Sequence, residues 1–154
     1  MMEISNFVVE SQMLILRSAA DCFEAFVNPK ITTKFWFTKS SGRLAIGRKV
    51  RWDWEMFGAS DTLTVKELKE NHRILIEWDS DLTKVELNFE PIGEDATLVK
   101  IANWGFPGSL EKILSQAVDA KGGYTIVLAG LKSWLEHGIE LNLVRDQFPK
   151  GYPT

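Results

Sequence analysis

Residues 96–117, "ATLVKIANWGFPGSLEKILSQA", change their periodicity midway. Val99, Ile101 and Asn103 fall two apart, the spacing of one face of a strand. Beyond the turn "GFPG", Leu110, Leu114, Ala117, Lys121, Tyr124, Leu128, Leu131 and Leu135 recur at three- and four-residue steps, the stripe of a helix. The reading is a strand that runs into one long helix, closed by His137 as a favourable C-terminal charge and Gly138 as a C′ glycine. Gly122-Gly123 interrupts the stripe and permits a bend or a close backbone approach, because each glycine costs about 1 kcal/mol relative to alanine in a helix interior.

Upstream, "NFVVESQMLILR" at 6–17 reads as a strand rich in Val, Ile and Leu. "SAADCFEAFVNP" follows as a helix, with Ser18 as N-cap and Asn28-Pro29 as its stop, and a second short helix, "KITTKFW", leads into Phe37. From about 41 to 104 the chain reads as strands joined by tight turns. Val50, Trp52, Trp54 and Met56 alternate with Arg51, Asp53 and Glu55; Leu63 and Val65 follow, then Ile74, Ile76 and Trp78, then Val85, Leu87 and Phe89. Phe57-Gly58, Glu70-Asn71-His72 and Gly93-Glu94-Asp95 suit hairpin connections. The order predicts an α+β fold: a curved antiparallel β-sheet wrapped around a long C-terminal α-helix, with two short helices after the first strand.

The 154 residues suit one domain, expected over 1–138, able to bury a core without disulfides or a structural metal. Apolar residues at 45% and charged residues at 25% are ordinary for a globular chain. A net charge of −3 offers no long-range attraction to phosphate, and Arg48, Lys49 and Arg51 read as a solvated strand edge, so no nucleic acid is expected. No segment approaches about 18 consecutive apolar residues and the N-terminus lacks a signal pattern, so no membrane insertion is expected and the cytoplasm is the default location. Cys22, the single cysteine, sits beside Phe23 and Phe26 and reads as a small buried hydrophobe. His72 and His137 have no metal-ligand spacing, no cofactor motif is present, and neither a metal nor a cofactor is expected.

The chain resembles the START-like, helix-grip superfamily, SRPBCC, and within it the branch named after the activator of heat-shock protein 90 ATPase. The likeness is carried by "SAADCFEAFVNPKITTKFWF", "TLVKIANWGFPG" and "GGYTIVLAGLKSWLEHG", and covers roughly residues 8–138. It implies a cavity between sheet and helix, used by related proteins for lipids, sterols, plant hormones or polyketides. It also implies, by the family's name alone, a chaperone contact. Where relatives often carry a histidine on the last strand, this chain has Asn103 followed by Trp104.

Trp52, Trp54 and Trp78 share the apolar phase with Ile76, Leu87 and Ile101; they either fill the core or wall a pocket. Asn103 and Tyr124 are the polar residues on inward phases, where they satisfy each other or the backbone, or orient a ligand. Lys121 on the same stripe is expected to snorkel outward. Asp53, Glu55 and Glu77 take the opposite phase and should face solvent, so no catalytic carboxylate pair is expected. The leading expectation is non-catalytic binding of an apolar or aromatic small molecule through Trp52, Trp54, Trp78, Asn103 and Tyr124. An aromatase/cyclase-like enzyme and a chaperone-interacting module are the alternatives. In the tail, 139–154, apolar Ile139, Leu141, Leu143, Phe148 and Tyr152 imply packing on the domain or on a second copy, which leaves a homodimer open, while Pro149, Gly151 and Pro153 should fray the last six residues.

Overall fold

In the computed structural model, which describes residues 7–152, the first strand β1 (Val8–Ile15) leads into α1 (Ala19–Val27) and α2 (Pro29–Thr32). The start of the expected first strand and the last two residues of the tail lie outside the described residues. Ser18 caps α1 by accepting from the Asp21 N–H at 3.2 Å. Asn28 both ends α1 and caps α2, accepting from the Lys30 N–H at 3.0 Å. The second helix is shorter than its sequence suggests. Phe35, Trp36 and Phe37 leave it to enter the core, where all three are buried.

The sheet contains β2 (Lys39–Ser40), β3 (Lys49–Trp54), β4 (Ala59–Lys69), β5 (Arg73–Trp78), β6 (Lys84–Pro91) and β7 (Thr97–Trp104). Its order is β1-β7-β6-β5-β4-β3-β2, antiparallel throughout. Period-two patterning selects one buried face: Val50 and Trp52, Leu63 and Val65, Ile74 and Ile76, Val85, Leu87 and Phe89, Val99 and Ile101. A bulge between Val65 and Glu67 adds local bend to β4. The alternation expected through Met56 stops earlier. A 3₁₀ turn at Glu55–Phe57, closed by Gly58 at φ 61°, takes over where the hairpin needs a left-handed residue.

The long helix α3 (Leu110–His137) packs along β1 and β7 and supplies Val127, Leu128 and Leu131 to the core. It is followed by α4 (Leu143–Asp146). Gly138 at φ 65° ends α3 as expected, with its N–H donating to the Trp134 carbonyl and the Ile139 N–H to Ser133. The first turns differ from the expected stripe. Ile113 takes the inward place beside Ala117, leaving Leu110 and Leu114 at 53% and 45% exposure, because positions 110, 113, 114, 117 and 118 offer more apolar surface than one face can bury. Among the described residues, no helix is long and apolar enough to cross a membrane.

Cys22 is fully buried, and burial first of all pushes its thiol up to about 11. The expected solvent face is built of ion pairs: Asp53 with Arg51, and Glu77 with Lys66 and Lys84. Lys121 is exposed and reaches back to the Glu10 carbonyl.

The close approach expected at Gly122-Gly123 occurs instead at Gly130. A Cβ there would lie 2.9 Å from the Phe35 Cβ and 3.3 Å from the Phe35 carbonyl oxygen, whereas at Gly122 and Gly123 it would meet nothing within 4 Å. Gly130→Ala should therefore lower the melting temperature, since overpacking costs about 1–3 kcal/mol and the obstructing atoms cannot swing aside. Gly122→Ala should raise it through helix propensity, by about 1 kcal/mol. Thermal melts giving the opposite order would remove Phe35 from beneath the helix.

Candidate functional site

β3, β5 and β7 all end at the same edge of the sheet, and in the antiparallel register β4 and β6 begin there. Trp54 and Trp78 are the last residues of their strands, and Asn103 the penultimate one of β7. Opposite them runs the middle of α3. Between sheet end and helix lies a cavity of about 670 Å³.

Four of the expected residues meet on its wall: Trp54, Trp78, Asn103 and Tyr124. Trp52 does not. At 1% exposure it stands behind the wall, stacked on Phe37 at 4.2 Å between centroids and edge-on to Trp54 and Trp78 at 6.5 and 5.6 Å. Its strand phase is shared with Trp54, but it lies two residues deeper in β3, so core takes it and cavity takes its neighbour.

Asn103 is 4% exposed and donates its Nδ2 to the Lys84 carbonyl at 2.8 Å. That partner fixes the amide orientation, since the other nitrogen-for-oxygen assignment would set two acceptors together. Burial pushes the Tyr124 phenol above its ordinary value; the Trp78 indole beside it opposes the shift, while the charges of Asp81, Asp119 and Asp61 add to it. The phenol therefore stays protonated near neutral pH.

Several wall residues escaped the sequence reading. Trp36 comes from the aperiodic segment after α2 and packs edge-on to Tyr124 at 6.0 Å. Phe57 comes from the 3₁₀ turn, and Phe106 from the turn before α3. Gly123 leaves a gap on the helix face that extends the cavity. Asp61, Asp81 and Asp119 stand on the same wall. The tail contributes Val144, Gln147, Phe148 and Tyr152.

Phe57, Phe148 and Tyr152 form a ring cluster with centroid separations of 6.1, 5.7 and 4.9 Å, and the Tyr152 hydroxyl donates to Asp119 at 3.0 Å. Tyr152 thus makes side-chain contacts within the stretch expected to fray. Ile139 and Leu141, read as part of an alternating apolar pattern, are instead about half exposed. They lie in the link before α4, and it is Val144 that packs against the core.

The family model described as Activator of Hsp90 ATPase homolog 1-like protein matches residues 17–136. Among solved structures, a protein from Staphylococcus saprophyticus is 26% identical with a TM-score of 0.78, the match covering 88% of this chain and 96% of that one. DynU16, from the dynemicin biosynthetic locus, is 19% identical with a TM-score of 0.76; the match covers 86% of this chain and 48% of that one. The Aha1 dimer from Colwellia psychrerythraea is 17% identical with a TM-score of 0.72, covering 86% and 98% respectively. The comparison with curated proteins finds no match. The second and third likenesses are likenesses of fold.

Proposed function

The chain belongs to the Activator of Hsp90 ATPase homolog 1-like family, and from that premise we propose that it binds an apolar or aromatic small molecule between sheet and long helix without transforming it. The observation that carries this reading is the cavity of about 670 Å³ walled by Trp36, Trp54, Trp78, Phe106 and Tyr124. That volume lies in the range of small-molecule sites, which combine apolar walls with a few placed polar groups. Asn103 and Tyr124 are those groups here.

An aromatase/cyclase-like reaction would require a side chain that moves protons at the cavity wall. Tyr124, held protonated, can donate a hydrogen bond but is a poor base. The wall carboxylates Asp61, Asp81 and Asp119 already accept hydrogen bonds from Ser80, Thr83 and Tyr152, which favours binding over catalysis. A chaperone contact and a homodimer remain secondary proposals, supported by the family's name and by the dimeric Colwellia relative.

The neutral dye N-phenylnaphthylamine tests the reading. It should bind near one-to-one and quench tryptophan emission. Trp54→Ala and Trp78→Ala should each weaken it more than Trp104→Ala, since Trp104 is not on the wall. Equal losses at the three positions would remove the cavity as the site.

The tail belongs to the same proposal, as a strap across the cavity mouth. A chain ending at Gly138 should melt lower, keep its mass in sedimentation and bind the dye more weakly. A dimer that becomes a monomer would place the tail at an interface instead, and no change in any of the three would detach it from both roles.

A further inference from the structure

The most deeply buried polar side chain of the cavity wall, Asn103, offers the cavity an acceptor. Several donors on the wall are already used within the chain: Gln116 Nε2 donates to the Pro107 and Lys112 carbonyls at 2.9 and 3.0 Å, Thr83 Oγ1 to Asp81 at 2.7 Å, and Tyr152 to Asp119, while the Tyr124 hydroxyl is a further donor. Asn103 Nδ2 is committed to Lys84, and its Oδ1 has no partner among the described residues. No buried side-chain oxygen or nitrogen there lacks a partner, so this oxygen must be open to the cavity. An acceptor on a side chain 4% exposed calls for a donor from the occupant.

Charge points the same way. Asp61, Asp81 and Asp119 stand on the wall, and among the described residues none of them is ion-paired and no lysine, arginine or histidine lines the cavity. Asp61 is half-buried, while Asp81 and Asp119 sit exposed at the rim. Inside that acidic rim the walls are indole and phenol rings, whose negative faces attract cations. An anionic lipid or carboxylate would meet three like charges, the Asn103 carbonyl oxygen and no cation.

Resting on the binding reading above, we infer that the cavity selects a cationic ligand: an apolar or aromatic molecule bearing a protonated amine. The aromatic rings receive its body, and the aspartates and the Asn103 carbonyl receive its head.

The test uses three probes sharing one naphthylmethyl group, with a primary ammonium, a neutral amide or a sulfonate as head, titrated by tryptophan quenching. The ammonium probe should bind about tenfold or more tighter than the amide, and the sulfonate weakest. Added salt should narrow the spread, since rim charges are screened. Asp61→Asn, Asp81→Asn and Asp119→Asn combined should shrink the preference, whereas Asp95→Asn, in the exposed β6–β7 turn, should leave it. Amide or sulfonate binding as tight as ammonium overturns the charge assignment while sparing the binding reading. Failure of all three probes to bind overturns both.

Discussion

Trp52→Ala should cost about 3–5 kcal/mol of stability, the range for truncating a large buried aromatic. For a chain of this length that is a fall of roughly 10 °C or more in melting temperature. The indole touches four aromatic neighbours, lying stacked on Phe37, tilted to Trp36 and edge-on to Trp54 and Trp78, so its removal leaves a void bounded by rigid rings that cannot collapse into it. Trp54→Ala, truncating a half-buried ring at the strand end, should cost clearly less. Equal losses in chemical denaturation would mean that Trp52 is no deeper than its neighbour. The pair therefore separates core from wall within a single strand.

Gly123→Leu should reduce dye binding at least tenfold while leaving the melting temperature level or higher. The added side chain projects into open space on the cavity face of α3, and leucine is favoured over glycine in a helix by about 1 kcal/mol. Gly122→Leu, one position round the helix and off the cavity wall, gains the same propensity and should leave binding intact. A loss of stability at 123 would show that the space is already filled by the protein. Undiminished binding would move the ligand elsewhere.

The architecture was legible because the sheet follows the simplest coding available. Hydrophobic residues two apart, turns rich in Gly, Asn and Asp, and then a switch to three- and four-residue spacing leave little choice of fold. Where several faces were apolar, as in the first turns of α3, pattern could not decide between Ile113 and Leu114. Trp54, Trp78, Asn103 and Tyr124 were reachable as wall residues because strand and helix phase predict direction. Depth along a strand is not written in phase, and so Trp52 could not be told from Trp54. Trp36, Phe57 and the tail residues lie in aperiodic segments, where a side chain's direction depends on turns whose geometry only the folded chain fixes. The acidic rim was hidden for a related reason. Asp61 sits opposite Trp52 across a hairpin, and Asp81 and Asp119 join it from a turn and a helix far away in sequence.

The sheet order has a kinetic consequence. From β2 to β7 each strand pairs with its successor in the chain, so those hairpins close short loops and need no distant partner. β1 alone must wait, because Val8 faces Trp104 and Ile15 faces Thr97, at the far end of the meander. Bringing such remote segments together costs loop-closure entropy that is recovered only after the ladder forms. In refolding followed by pulsed amide exchange, protection should spread through β3 to β6 first and reach β1 last. Because α3 lies along β1, its docking should share that late step. The cavity would then be assembled at the end of folding, when the rest of the sheet is already in place.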